Sequence, residues 1–387
     1  MPHKADSSFF DAKKYWSRRK DLLLGYYLVP YLAKIATQRR PVLIVDAFAG
    51  PGKFGDGEAG SPLIICGTVQ KANSKPLPVE VTVLCIESVK ELHGRLANLL
   101  EQFSFAEAHH GTFLDHLPTI ERRASSHSIF LYVDPFTVEG LDWEAMDRLF
   151  KHVSSGVSVE VLLNLNSASL VRRGLAALKL QVPSVDTRYE DDRPLDATDV
   201  EPPSLTRLDA VMGGKWWRDV LKQTPTFAAQ VDAIVNGYCD RLRTRFKEVC
   251  SHPIKALPNH TIPKYYLILG SRSAHALRLM NDAMVKSSEM LADLAKPTEA
   301  TLFETRSFDL VPDESRLPGL VLASLSGQKQ RGTLIIDVIR VATGDYSSTQ
   351  IRQTINALIK KGIIQSESGR SKIPDKELVW RVKSSAE

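Results

Sequence analysis

Three acidic side chains stand where hydrophobic runs stop: Asp46 after "VLIV", Glu87 after "VEVTVLCI" and Asp134 after "SIFLYV". A carboxylate at the end of a buried run is placed to accept hydrogen bonds from a ligand or to balance a cation. Directly after Asp46 the chain reads "AFAGPGKFGDGEAGSP" over residues 47–62, with glycines at 50, 52, 55, 57 and 60. Glycine loses more conformational freedom on folding than any other residue, so a loop rich in it needs a reason. Gly50 and Gly52 let the backbone approach a ligand closely, where a Cβ would collide. The simplest functional reading is a nucleoside-binding loop.

Three ligands compete for that loop. A phosphate cradle needs G-x-x-x-x-G-K-[ST], and "GKFGDGEAGS" has no Gly-Lys-Ser/Thr before a helix. A dinucleotide fingerprint needs G-x-G-x-x-G opening into a helix. "GPGKFG" has the letters, yet the helix is expected to wait for Ser61 as cap and Pro62 as first residue. That delay disfavours a pyrophosphate. S-adenosylmethionine carries no phosphate and a cationic sulfur. It needs close backbone approach and an acid at the end of the second strand to accept from the ribose hydroxyls, and Glu87 stands there.

The elements that must position these residues follow from periodicity. Residues 9–40 read as a helical lead-in, with Tyr15, Leu22, Leu23, Tyr26, Tyr27, Val29 and Leu32 at near-helical spacing. Strands are expected at 43–46, 79–88, 128–136 and 158–166, with helices over 89–103 and 141–153. Alternation of this kind predicts an α/β fold with a parallel, doubly wound sheet. Ligands of such sheets lie at the carboxyl ends of the strands, so Asp46, Glu87 and Asp134 are expected to converge. Residues 181–227 break the pattern with Pro and Asp and read as an excursion or lid. A long helix is expected over 227–249 and a late strand over 262–273, paired with "CSHPIKALP". The expected domains are the lead-in 1–40, a sheet domain 41–310 with an insertion at about 175–230, and a tail 315–387.

The tail has its own logic. Two helices, a "GDYSS" turn, a helix "STQIRQTINALIKKG" capped by serine and closed by Gly362, and two β runs around a basic loop make a winged helix-turn-helix. In that arrangement Thr349, Gln350, Arg352 and Gln353 open the recognition helix, and Arg370 and Lys372 lie on the wing. Nucleic acid is the expected partner, with dimerisation or protein docking as the alternative for this module. A net charge of +5 and a sequence pI near 8.9 permit a polyanion partner without requiring one.

Other classes are disfavoured. No run approaches the ~20 apolar residues of a membrane span, and the N-terminus lacks the basic-then-apolar order of a signal peptide, so a cytoplasmic location is expected. Cys66, Cys85, Cys239 and Cys250 show no CxxC pairing and read as buried thiols rather than as a metal site or disulfides. His109 and His110 are adjacent, and on a strand they point to opposite faces. No metal is expected.

"DAFAGPG" (46–52) resembles the D-x-F-x-G-x-G first motif of S-adenosylmethionine-dependent methyltransferases acting on exocyclic amines, and "VDPF" (133–136) resembles their fourth motif, D/N-P-P-Y/F. Together with "YYLILGSR…ALRLMNDAM", these blocks are similar to the three-Cys-motif partner proteins (TcmP) over roughly residues 13–310. The resemblance implies a Rossmann-like class I methyltransferase domain. It implies that Asp46, Phe48, Ala49, Gly50 and Gly52 line the cofactor, with Glu87 at its ribose. Gly111, Thr112 and Phe113 would lie near its adenine, and Asp134, Pro135 and Phe136 would face the target. It also implies a partner with a cysteine triad. The fourth motif here has one proline where the family has two, so the loop's carbonyl need not be aimed in the family's way. A scaffold without turnover is the alternative to an enzyme.

Overall fold

Val42–Asp46 is buried along its whole length and forms β1, as a strand covered on both faces of a parallel sheet must be. The computed structural model describes residues 11–73, 79–154, 156–182, 204–255, 262–294 and 312–382. It divides into two compact units, Met1–Arg272 and Ser273–Glu387.

The first unit runs α1 (Tyr15–Ile35), β1, α2 (Ser61–Asn73), β2 (Val81–Glu87), α3 (Lys90–Leu100), β3 (Ala106–His110), α4 (Phe113–Ala124), β4 (Ser128–Val133), α5 (Trp143–Ser154), β5 (Val159–Leu165) and α6 (Ser167–Ala177). It continues with α7 (Leu205–Met212), α8 (Trp216–Gln223), α9 (Phe227–Arg243), β6 (Glu248–Ile254) and β7 (Tyr265–Ser271). The seven strands lie in the order β3-β2-β1-β4-β5-β7-β6. The first five are parallel, and β7 pairs antiparallel with both β5 and β6. This is a doubly wound, Rossmann-like sheet. Its order reverses between β1 and β4, which is the place where such sheets hold ligands.

Each face of the sheet has its own cover. Leu43 and Val45 of β1 join a core with Phe113, Leu117, Trp143, Phe150, Val171 and Trp217 from the helices of one side. On α1, Tyr27 and Tyr31 pack over Phe130 of β4, with ring centroids 5.7 and 5.1 Å away. Below them lies a buried polar knot. The Tyr27 hydroxyl donates to Oε2 of Glu160, and the Ser271 hydroxyl donates to Oε1 at 3.0 Å. Burial raises the Glu160 carboxyl, against the pull of those two hydrogen bonds.

Several elements differ from expectation. The helix expected over 227–249 stops at Arg243, and its last part becomes β6. There the period changes to 2, with burial alternating residue by residue along Glu248–Ile254. Of the excursion expected over 181–227, residues 183–203 lie outside the described residues, and the part that follows contains α7 and α8. The four cysteines are all buried.

The second unit begins with α10 (Ala274–Leu294), followed by α11 (Leu317–Ser324), β8 (Lys329–Gln330), α12 (Arg331–Val341), α13 (Ser348–Lys360), β9 (Ile364–Ser366) and β10 (Leu378–Arg381). The boundary expected at 310–315 therefore lies earlier, because α10 is tied to the C-terminal helices. The Asn281 amide donates to the Tyr346 carbonyl at 2.9 Å, and Asp282 accepts from both the backbone and the hydroxyl of Ser348 at 2.6 Å. Ser347 caps α13 in a reciprocal box with Gln350, and Gly362 takes a left-handed φ of 72° just past its end. Strands β8, β10 and β9 form a small antiparallel sheet.

Replacing Tyr27 with Phe deletes a donor to a buried acceptor. It is expected to lower stability by about 1–3 kcal/mol, read as a lower urea midpoint with the helical signal intact. An unchanged midpoint would show that Glu160 finds another donor.

Candidate functional site

The site is built where β1, β2, β4 and β5 end. Asp46 closes β1 with no exposed surface. The chain then turns sharply: the Ala47 N–H donates to the Tyr132 carbonyl (3.0 Å) and the Ala49 N–H to the Ile86 carbonyl (2.9 Å). The loop is thus laced to the strand on either side of β1. Gly50 and Gly52 both have left-handed φ, 61° and 77°, a conformation that side chains disfavour. Gly52 also lies against α3, where a Cβ would come within 3.1 Å of Leu96 and 3.3 Å of Leu99.

Residues 52–60 then form a small closed hairpin. Lys53 bridges Ala59, Phe54 donates to the Glu58 carbonyl at 2.9 Å, and Gly60 donates back to Gly52 at 2.9 Å. The hairpin is fastened to the start of α1. The Lys13 backbone donates to Asp56 (2.8 Å), its ammonium donates to the Ala59 carbonyl (2.6 Å), and Arg18 pairs with Glu58 (2.5 Å). Helix α2 begins at Ser61, as the delayed start in the sequence requires.

Glu87 ends β2 and is buried. Its Oε2 accepts from the Gly50 N–H at 2.9 Å and its Oε1 from the Val89 N–H at 2.6 Å. A carboxylate offers about four lone-pair sites, so Glu87 both fixes the glycine loop and keeps acceptor capacity for a ligand.

Asp134 is different. Its Oδ1 accepts from Lys20 Nζ (2.9 Å) and from the Asn164 amide (2.6 Å). Its Oδ2 accepts from Lys20 Nζ (2.6 Å) and from the Tyr132 hydroxyl (3.2 Å). All four acceptor sites are in use. Lys20 comes from α1 and is itself buried, its ammonium 4.9 Å from the centre of the Tyr265 ring. Pro135 is half-buried, and Phe136 is 47% exposed, one of the few large apolar side chains that is.

Two further acids complete the cluster. Asp21 pairs with Lys13 at 2.5 Å. Burial pushes its carboxyl up to about 6, with Lys13 pulling it back. Burial pushes Asp46 up to about 7, a Ser61 hydrogen bond opposes this, and the Asp134 charge adds to it. Oδ2 of Asp46 is buried with no hydrogen-bond partner among the described residues, as is Oδ1 of Asn164. The arrangement suits a ligand that brings positive charge and hydroxyl donors. Among the described residues no group of three or more His, Cys, Asp or Glu is arranged to hold a metal ion.

The sequence-predicted residues therefore divide. Asp46, Phe48, Ala49, Gly50, Glu87 and Asp134 meet at the switch point. Thr112 and Phe113 are spent elsewhere. Thr112 caps α4 in a reciprocal box with Asp115, and Phe113 is 2% exposed in the core. In the second unit, Gln350 is held by Ser347 and by Glu314 at 2.9 Å. Arg352 joins Arg278 and Arg331 around Asp375, which those contacts hold down to about 2 against its partial burial. Thr349, Gln353, Arg370 and Lys372 are exposed. Lys20 and Asn164 were not foreseen. Lys20 lies 114 positions from its partner, and no local spacing links them.

No family model and no curated protein matches the sequence. Solved structures overlay weakly. The plantazolicin methyltransferase BamL, in complex with a triazolic desmethylPZN analog and SAH, is 14% identical with a TM-score of 0.31, over 70% of this chain and 92% of that one. A putative sarcosine dimethylglycine methyltransferase from Galdieria sulphuraria is 12% identical with a TM-score of 0.23, over 63% and 83%. PKMT2 from Rickettsia typhi is 10% identical with a TM-score of 0.31, over 87% and 74%. Overlays this weak carry no weight for the site, and the fold rests on the strand order. No helix among the described residues is long and apolar enough to cross a membrane.

The raised Asp46 has a measurable consequence. Between pH 4 and 7 the unfolded carboxyl has lost its proton while the folded one retains it, so stability falls as pH rises through this window. Asp46→Asn removes Asp46's share of that slope, leaving the share of Asp21 with its carboxyl raised to about 6, and stabilises the free protein at pH 7.5 by up to about 4 kcal/mol. Urea midpoints at pH 5 and 7.5 measure it, and an equal slope in both proteins would contradict the assignment.

Proposed function

We propose that the chain is an S-adenosylmethionine-dependent methyltransferase. The observation that carries this is Glu87: a buried carboxylate at the end of β2, wired to the Gly50 N–H and with an acceptor site on Oε2 left open. A ribose diol needs such an acceptor, and the left-handed Gly50 allows close backbone approach beside it. Asp46, with its unpartnered Oδ2, suits a cationic group. S-adenosylmethionine fits this donor set because it carries positive charge and no phosphate. When bound, it supplies an activated methyl group for in-line displacement. The chain's part is to hold the acceptor in line and to exclude water, since positioning accounts for much of the rate gain in such transfers. Phe136 offers an exposed ring at the mouth. The resemblance of residues 46–52 and 133–136 to methyltransferase motifs, and more closely to three-Cys-motif partner proteins, agrees with this reading.

The second unit has the order of a winged helix-turn-helix, and we infer nucleic acid as its partner. From α13 to β10 there are seven basic against three acidic side chains, with Arg370 and Lys372 exposed on the loop between β9 and β10. Contacts of this kind go to phosphates. A second reading, a partner protein that keeps the fold without turnover, draws on one observation: every acceptor site of Asp134 is occupied within the chain.

Calorimetry with S-adenosylmethionine tests the first proposal. One site per chain is expected. Gly50→Val forces a branched side chain into a left-handed φ and should weaken binding at least tenfold with the helical signal unchanged. Absence of heat from the folded wild type at millimolar ligand would sink the proposal. For the second unit, Arg370→Ala with Lys372→Ala should lower duplex affinity for every sequence alike and reduce the salt slope by about 2; an unchanged slope would make this unit a protein-docking module.

A further inference from the structure

One ammonium in the folded chain, that of Lys20, meets Asp134 and Tyr265, while Tyr132 and Asn164 hold the Asp134 carboxylate. Two of its three N–H donors are within reach of the Asp134 carboxylate oxygens, at 2.9 and 2.6 Å. The Tyr265 ring lies 4.9 Å from the nitrogen, inside the range over which an aromatic face attracts a cation. Tyr132 and Asn164 hold the carboxylate from its other sides, at 3.2 and 2.6 Å. Both ends of the pair are largely withdrawn from water, with side-chain exposures of 9% for Lys20 and 22% for Asp134. A carboxylate braced by two neutral donors and faced by an aromatic ring is a receptor for an alkylammonium ion. It is poorly matched to the neutral, planar NH₂ of a nucleobase. Such an amine has no charge for the ring or the carboxylate to attract, so it would be a weak competitor for Lys20.

We propose that these four residues form a primary-ammonium subsite beside the glycine loop, and that Lys20 is its internal occupant. The subsite rests on the methyltransferase reading for its purpose: it makes the target an aliphatic primary amine, which would bind as the ammonium, give one proton to the Asp134 carboxylate and take the methyl group on the freed lone pair, with the thioether as leaving group. Its existence is independent of that reading. The position is right for an acceptor. β4, which leads into Asp134, is hydrogen-bonded to β1, which leads into the glycine loop, with Asp46 opposite Tyr132 in the register. In the chain as it stands, an incoming amine competes with Lys20. The occupant is one residue of α1, a helix also anchored through Lys13 and Arg18 to the hairpin 52–60. Access to the subsite therefore depends on Lys20 withdrawing.

Filling the gap left by a deleted side chain tests the subsite without any cofactor. Lys20→Ala removes the stem and ammonium, and n-propylammonium is the missing fragment. Thermal unfolding of the full-length variant is followed with n-propylammonium chloride, with n-propanol as the uncharged control and with sodium chloride for ionic strength. The expected result is a saturable rise of about 2 °C at tenfold excess over the dissociation constant, with no such rise from propanol or salt. The wild type, whose subsite is full, and Lys20→Ala/Asp134→Asn should both fail to respond. If Lys20→Ala does not fold, Lys20→Met keeps the stem and is titrated with ammonium chloride in the same way. Equal shifts from propylammonium and propanol, or a response that persists in the Asp134→Asn background, would overturn the proposal. Calorimetry with S-adenosylmethionine on the wild type reads the methyltransferase proposal separately. Heat there with no propylammonium effect sinks the subsite alone, and the reverse sinks the cofactor alone.

Discussion

Burying charge is costly unless each charge finds a partner, and the crevice at the end of β1 and β4 is governed by that cost. Asp21, Asp46 and Asp134 crowd into it. The sheet alone brings no cation to meet them. The segment before β1 supplies both lysines, Lys13 just ahead of α1 for Asp21 and Lys20 on α1 for Asp134. Asp46 has none and is driven toward its neutral form instead. The same helix seals a face of the sheet with Tyr27 and Tyr31. The segment before β1 is therefore part of the site, although its pattern reads only as a lead-in.

The glycine loop answers to a second demand, on the backbone. A turn that leaves β1 and stays in contact with both neighbouring strands must expose N–H groups, and buried N–H groups need acceptors. Tyr132 and Ile86 give their carbonyls, and Glu87 gives its carboxylate. The left-handed φ at Gly50 is the conformation in which its N–H meets Glu87. Farther along, the glycine-rich stretch closes on itself as a hairpin and docks on Lys13 and on Arg18 of α1.

Much of this was legible in the sequence, for identifiable reasons. The strand ends, the acids on them and the delayed start of α2 are local signals, and they lie where periodicity and capping place them. The winding of the sheet follows from strand and helix alternation. What escaped is long-range or was misread. Lys20 and Asn164 reach Asp134 across 114 and 30 positions, with no spacing to announce them. Thr112 and Gln350 were legible in another way: T-x-x-D and S-x-x-Q are capping boxes, and both form. The stop of α9 at Arg243 was hidden because "TRFKEV" continues a helical composition while its contacts make it the approach to β6.

The proposed ribose site is the glycine loop with Glu87, opening toward Asp134. A crystal structure with S-adenosylhomocysteine tests this most directly. Both ribose hydroxyls are expected within hydrogen-bond distance of the Glu87 carboxylate, with the thioether sulfur on the Asp134 side of the loop. A ligand seated elsewhere, or one whose ribose leaves Glu87 untouched, would contradict it.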